Sequence, residues 1–348
     1  VWTNPQRQAQ FTQWFSGVSS SHSLHTSTLR SASADASFRR YFRVDADAGS
    51  RIIMDAPPDK ENCKPFVQVA QLMKDAGLRV PDILNWDEAH GFMLLSDLGG
   101  KTMMQTIAPE AAPPLDQYLQ AVDALVQWQL ASRAGVLPPC DRALLQRELD
   151  LFPQWYLGEH RKVSLDAAQQ KTLADAFACI IDHNLAWPSV YVHRDFMPRN
   201  LMAPAPPDNR LGVLDFQDAV YGPITYDIAS LMRDAFLSWE EDFCLDVTIR
   251  YWEKARKAGL PVGDDFGEFY RGVEWMGLQR HLKIAGIFAR LTLRDGKPHY
   301  LADTPRFIGY MRSTCARYSE LKPLLRLIEK VEGLASSNIL AYNKPQAK

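Results

Sequence analysis

One segment limits what this chain can fold into more than any other: residues 190–218, which read VYVHRDFMPRNLM, then a Pro-rich turn, then GVLDFQD. Residues 190–192 form a β-branched and aromatic run, the mark of a short buried strand. Pro198 forbids helix in the stretch after that strand, so Asp195 and Asn200 ride on an irregular loop. Residues 204–210 are a turn rich in Pro, Asp and Asn, and residues 211–214 are apolar again. The pattern predicts a hairpin that returns Asp215 to the neighbourhood of Asn200.

These residue types suit phosphoryl transfer to a hydroxyl. That reaction needs a carboxylate to orient the hydroxyl and accept its proton, and Mg²⁺ to neutralise charge on the phosphates of ATP. Asp195 fits the first role, and Asn200 and Asp215 the second. The run from His193 to Asn200 matches the template H-R-D-x-x-x-x-N residue for residue. A lone HRD triplet arises by chance in polar hairpins. Here the strand before it, the Asn at its offset, the hairpin and the Asp-Phe after it all agree.

At 348 residues, 46% of them hydrophobic, the chain exceeds the roughly 250–300 residues of a single core, so two lobes are expected. A net charge of −2 leaves no electrostatic footprint for nucleic acid or an anionic membrane. No apolar run approaches the roughly 18 residues of a membrane span, and residues 1–12 are polar, unlike a secretory signal. The five cysteines are scattered, odd in number and without a CxxC pair, which reads as free thiols in a reducing cytoplasm. The expected partner is a small molecule, met by a monomer.

The fold class expected is α+β in two lobes: a small strand-rich lobe over residues 1–95 that binds nucleotide, and a larger, mostly helical lobe over residues 96–348 for catalysis and substrate. In the first, a short helix falls near residues 11–15, and strands over 22–30, 38–45 and 51–55. Residues 31–37 are all small except Asp35 and suit a loop approaching phosphates closely, which singles out Ser33 and Ser37. A helix over 62–77 follows from Phe66, Val69, Leu72 and Met73, with Gly77 as its stop. FMLLSDLGG at 92–100 reads as a hinge where an adenine docks, with Ser96 and Asp97 at its polar end. Beyond it, Leu115, Tyr118, Leu119, Val122, Leu125 and Val126 form one helical stripe, and Leu173, Ala176, Phe177 and Ile180 another. Glu148 and Trp155 offer the carboxylate and aromatic face that suit a sugar. Asp227 opens a further helix, where an N-cap is the ordinary reading.

The HRDFMPRN and LDFQDA blocks, with YDIA after them, resemble the aminoglycoside/choline phosphotransferase branch of the protein-kinase-like fold. SFRRYFRV (37–44), IIMDAPP (52–58), LDFQDAVYGPITYD (214–227) and EWMGLQRHLKIAGIFARL (274–291) are similar to the bacterial anomeric kinases of N-acetylmuramate and N-acetylglucosamine used in cell-wall recycling. That resemblance implies ATP-dependent phosphorylation of an amino sugar at its C1 hydroxyl. By position it makes Asp195 the catalytic base, Asn200 and Asp215 the Mg²⁺ ligands, Asp227 the buried brace of the catalytic loop and His193 structural. Two alternatives stay open: a kinase of another small hydroxyl compound, of aminoglycoside or choline type, for which Glu240–Asp242 or Asp264–Asp265 would hold a cation, and an inactive nucleotide-binding module.

The chain departs from the broader kinase pattern in its third strand, where Met54 takes the slot of the phosphate-binding Lys, and in its first-lobe helix, where Gln68 stands near the place of the partner Glu. Arg39, Arg40 and Arg43 are the candidates to compensate; alternation along a strand puts Arg39 and Arg43 on one face and Arg40 on the other. Arg280 and Lys283, on a helix rich in apolar residues, are candidates to reach the lactyl carboxylate of a muramate.

Overall fold

The structure, a computed structural model, describes residues 4–34, 38–108, 111–206 and 208–335. In chain order it contains α1 (Pro5–Ser21), β1 (Leu24–Ala34), β2 (Arg40–Ala46), β3 (Gly49–Asp55), α2 (Lys64–Asp75), β4 (Ile83–Asp87) and β5 (Phe92–Ser96). Then come α3 (Met103–Thr106), α4 (Leu115–Leu130), α5 (Arg142–Leu149), α6 (Ala167–Leu185), β6 (Ser189–Val192), β7 (Leu201–Met202), β8 (Gly212–Val213) and β9 (Val220–Pro223). The chain closes with α7 (Thr225–Met232), α8 (Glu241–Lys257), α9 (Phe266–Leu293), α10 (Thr304–Arg317) and α11 (Lys322–Glu332).

Backbone contacts divide the chain into two compact units, Val1–Trp128 with Met197–Ala219, and Gln129–Phe196 with Val220–Lys348. This differs from a single cut at 95/96. The first unit also takes in residues 96–128 and 197–219, and side chains say why. Arg79 donates to the carbonyls of Leu98 and Arg210, and Phe66 of α2 packs on Phe216 with ring centroids 4.9 Å apart.

The first unit is built on a five-stranded antiparallel sheet in the order β1-β2-β3-β5-β4. Asn4 caps α1 by accepting the N–H groups of Gln6 and Arg7, leaving fewer unsatisfied donors in its first turn. Phe11, Phe15 and Val18 of α1 then pack on Val44, Ala46, Ile53, Phe92 and Leu94 of the sheet. The small-residue stretch expected as loop is partly strand: Ser31 pairs with Phe42, Ser33 with Tyr41 and Ala34 with Arg40. Small side chains do not oppose a ladder, and β2 supplies the partner. Likewise the apolar half of the expected hinge is β5, paired with β3 and β4.

The second unit is helical apart from the β6–β9 pair, whose register runs from Ser189↔Pro223 to Val192↔Val220. Its axis is α9, buried almost throughout, against which α6, α7, α10 and a π-helical stretch at Phe152–His160 pack. Gly286 permits one close approach: a Cβ there would stand 2.4 Å from the backbone carbonyl carbon and oxygen of Leu151. Among the described residues no helix is long and apolar enough to cross a membrane.

Candidate active site

β6 feeds the loop that carries Asp195, and β9 leads into α7, whose first turn carries Asp227. Asp227 lies inside the helix and does not cap it; the cap position is Ile224. Fully buried, its carboxylate accepts the N–H of His193 at 2.6 Å and of Arg194 at 3.0 Å. Burial pushes that carboxyl up to about 6, while His193 and the two amides pull the other way. Arg194 has φ +78°, a left-handed conformation that costs a residue with a Cβ about 1–2 kcal/mol. Besides its N–H bond to Asp227, its carbonyl accepts from Arg280 Nη1, and its own Nη2 donates to Glu148 Oε1 at 2.6 Å. His193, also buried, accepts the Asp195 N–H on Nδ1 at 3.3 Å.

The Asp195 side chain is 40% exposed, and Arg280 Nη2 stands 3.6 Å from its Oδ1. The surrounding protein alone would raise the Asp195 carboxyl, but Lys283, Arg280, Arg194 and His193 outweigh it and hold it below the ordinary carboxylate range.

Glu148, a candidate to line a sugar site, and Arg280 and Lys283, candidates to reach a lactyl carboxylate, lie buried inside the second unit with protein partners. Glu148 accepts from Lys283 Nζ at 2.8 Å, Arg194 Nη2 at 2.6 Å, Gln279 Nε2 at 2.9 Å and the Tyr226 hydroxyl at 3.3 Å. Burial would raise its carboxyl, yet Lys283 and Arg194 bring it down to about 2. A buried carboxylate keeps its charge only where cations and donors surround it in this way. The buried polar side chains of α9 are matched by groups brought from α5 and from the loop that carries Asp195: Lys283 and Gln279 meet Glu148, and Arg280 meets the Arg194 carbonyl. Trp155 is half-buried in the π-helical stretch.

Asn200 and Asp215 belong to the first unit. Asn200 ends a 3-10 turn at Pro198–Asn200, β7 pairs with β8, and the Leu214 N–H donates to the Asn200 carbonyl at 2.9 Å. This hairpin sets Asn200 Nδ2 3.4 Å from Asp215 Oδ2, and Gln217 Nε2 2.8 Å from Asp215 Oδ1. Asp215 has φ +62°, held by the burial of its neighbour Phe216 against Phe66. An amide and a carboxylate side by side are hard oxygen donors. Mg²⁺ takes one or two such protein ligands and fills the rest of its shell with phosphate and water, so the pair fits that ion.

The three arginines part company. Arg40 lies on the α1 face, where its Nε donates to Asp55 Oδ2 at 2.9 Å while Arg7 Nε donates to Oδ1 at 3.0 Å. Arg43, on the other face, makes a two-pronged bond to Asp97 at 2.6 and 3.0 Å and donates to the Gly99 carbonyl. Asp97 also accepts from Ser50 and the Gly99 N–H. Arg39 pairs with Glu61, 3.1 Å away. Met54 is fully buried and Gln68 exposed. Ser96 Oγ accepts the Asp82 N–H at 2.8 Å. Ser37 lies outside the described residues, as does the Ser33 side chain. The acidic runs offered for a cationic substrate are engaged: Glu241 with Arg233 and Arg317, Asp264 with Arg256, and Asp265 as the cap of α9. Sequence reading did not single out Glu61, a carboxylate in the coil just ahead of α2 that pairs with Arg39 and accepts the Phe38 N–H.

Residues 28–266 match the phosphotransferase enzyme family. The N-acetylmuramate/N-acetylglucosamine kinase of Neisseria meningitidis serogroup B is 47% identical over 331 residues, 94% of this chain and 97% of the relative. Its namesake in Pseudomonas aeruginosa is 49% identical over 300 residues, 85% of this chain and 86% of the relative. Among solved structures, a putative aminoglycoside phosphotransferase from Ralstonia eutropha superposes with a TM-score of 0.59 at 13% identity, covering 92% of this chain and 98% of its own. An ADP-bound aminoglycoside phosphotransferase, APH(2'')-Ib, gives 0.57 at 13% identity over 87% of this chain and 98% of its own. The chain, with its two-unit α+β architecture and its HRD loop and Asp-Phe hairpin, is a phosphotransferase and belongs to the phosphotransferase enzyme family.

Proposed function

We propose that this enzyme is an ATP-dependent kinase that phosphorylates the anomeric C1 hydroxyl of N-acetylmuramate and N-acetylglucosamine. The observation that carries the substrate is the identity of nearly half of the aligned residues, over most of the chain, with two relatives that bear that name. Asp195 is the base: partly exposed and kept ionised by neighbouring cations, it orients the hydroxyl and accepts its proton. A sugar's C1 hydroxyl is more acidic than its others because the ring oxygen withdraws electron density, so a weakly basic carboxylate suffices. Asn200 and Asp215 would hold Mg²⁺, which would neutralise charge on the phosphate oxygens. Asp227 and His193 brace the loop behind Asp195. Residues 1–95 supply nucleotide contacts and residues 96–348 the sugar site.

Incubation with ATP and N-acetylglucosamine, followed by phosphorus NMR, tests the reading. A 1-phosphate is expected. A 6-phosphate, or no transfer to either amino sugar, would defeat the substrate assignment and leave the fold standing.

A further inference from the structure

A nucleoside triphosphate held near Asp215 needs a fixed cation, and the two positions that the resemblance matches to the kinase Lys–Glu pair hold a buried thioether, Met54, and an exposed amide, Gln68. A thioether cannot pair with phosphate. We propose that Arg39 and Glu61 are the relocated pair: Arg39 clamps the nucleotide phosphates and Glu61 positions it. The inference rests on the kinase reading and names the residues that reading leaves open.

Four observations carry it. Arg40 points to the α1 face, where Asp55 holds it with Arg7, so it braces α1 against the sheet. Arg43 is locked to Asp97 and the Gly99 carbonyl. Arg39 stands one residue before β2, and its guanidinium is bonded to Tyr41, whose register partner is Met54. Glu61 then binds twice: Oε2 takes the Arg39 guanidinium at 3.1 Å, and Oε1 accepts the Phe38 N–H at 3.2 Å. It therefore fixes both the side chain of Arg39 and the backbone where the chain enters β2. Both partners are largely buried, with side chains 10% and 13% exposed. Burial alone would lower the Arg39 pKa; Tyr41, Glu61 and, least of the three, Asp215 raise it.

The chemistry follows from the guanidinium. It carries five donors in a planar fork and binds phosphate oxygens in pairs where lysine offers a point charge. A guanidinium pre-oriented by Glu61 gives up less rotamer freedom when the nucleotide arrives.

Calorimetric titration of the full chain with ADP and with adenosine, in EDTA so that Asp215 and any ion it holds drop out, separates phosphate recognition from folding. Arg39→Met should weaken ADP roughly ten- to hundredfold, the usual loss for a charge-assisted hydrogen bond, and leave adenosine unchanged. Arg39→Lys should fall between the two, and Glu61→Gln should weaken ADP by a smaller factor. ADP affinity of Arg39→Met within threefold of wild type overturns the clamp, and so does an equal loss of adenosine and ADP, the signature of a merely structural residue. A wild-type chain that binds no nucleotide overturns the kinase reading and the clamp with it.

Discussion

Asp195, the proposed base, is surrounded by more positive charge than a general base needs for ionisation, and the excess sets its pH behaviour. Its carboxyl is depressed below the ordinary 3.8, so the competent, ionised form persists through mildly acidic pH and is lost only as pH falls through the depressed value. The acid limb of kcat/KM should therefore lie below the usual carboxylate range, and Arg280→Met should move it upward while Arg280→Lys restores much of it; an unmoved limb would separate Arg280 from the base. Asp195→Asn should lower kcat by about 10²–10⁴-fold with nucleotide affinity nearly unchanged, measured by single-turnover transfer beside ADP binding. Glu148 raises a different issue, because it is interior. With its carboxyl held at about 2 against an ordinary 4.5, its contribution is in place above pH 4.5 and fades as pH drops toward 2. Glu148→Gln at neutral pH leaves Lys283 and Arg194 buried without their counterion, and should cost about 3–5 kcal/mol in urea unfolding. The same variant should lose less relative to wild type at pH 3 than at pH 7.

At the scale of elements, what was legible in the sequence is what local chemistry alone decides. The hairpin around residues 201–213 followed from a Pro-rich turn between apolar runs, and α2 from a helical stripe ended by Gly77. Tertiary pairing hid the rest. Glu148 and Lys283 are 135 residues apart, and no periodicity announces that one buried charge answers another. Glu61 sits in coil, where neither the 3.6 nor the 2.0 repeat speaks. The small residues at 31–34 read as loop because a strand there depends on what β2 offers it. The close approach at Gly286 is equally silent in sequence, since a glycine inside a helix reads first as a weakness. There the backbone of Leu151 leaves no room for a Cβ, and a helix backbone cannot step aside as a flexible side chain can. Gly286→Ala should therefore destabilise by about 1–3 kcal/mol despite the better helix propensity of alanine, read from urea midpoints at constant slope.

For the whole molecule, the notable feature is how the chain is shared out. It passes between the two units at residues 128–129, 196–197 and 219–220, so Asp195 belongs to the second unit and Asn200 and Asp215 to the first. A cut at 95/96 would sever the sheet from the pieces that finish its unit. Phe66 would lose Phe216, Arg79 would lose the carbonyls of Leu98 and Arg210, and β5 would end one residue short, without Ser96 and its bonds to Asp82. Exposing an aromatic face and stranding an arginine each cost on the order of 1–3 kcal/mol, and a fragment of that size has little stability to lose. Residues 1–95 alone should thus show no cooperative thermal unfolding by circular dichroism. A chain joining 1–128 to 197–219 through a short Gly-Ser linker should unfold cooperatively, because it restores both sets of contacts. A sharp transition from residues 1–95 alone would mean that the sheet and α1 carry the unit, and that residues 96–128 and 197–219 contribute to chemistry more than to folding.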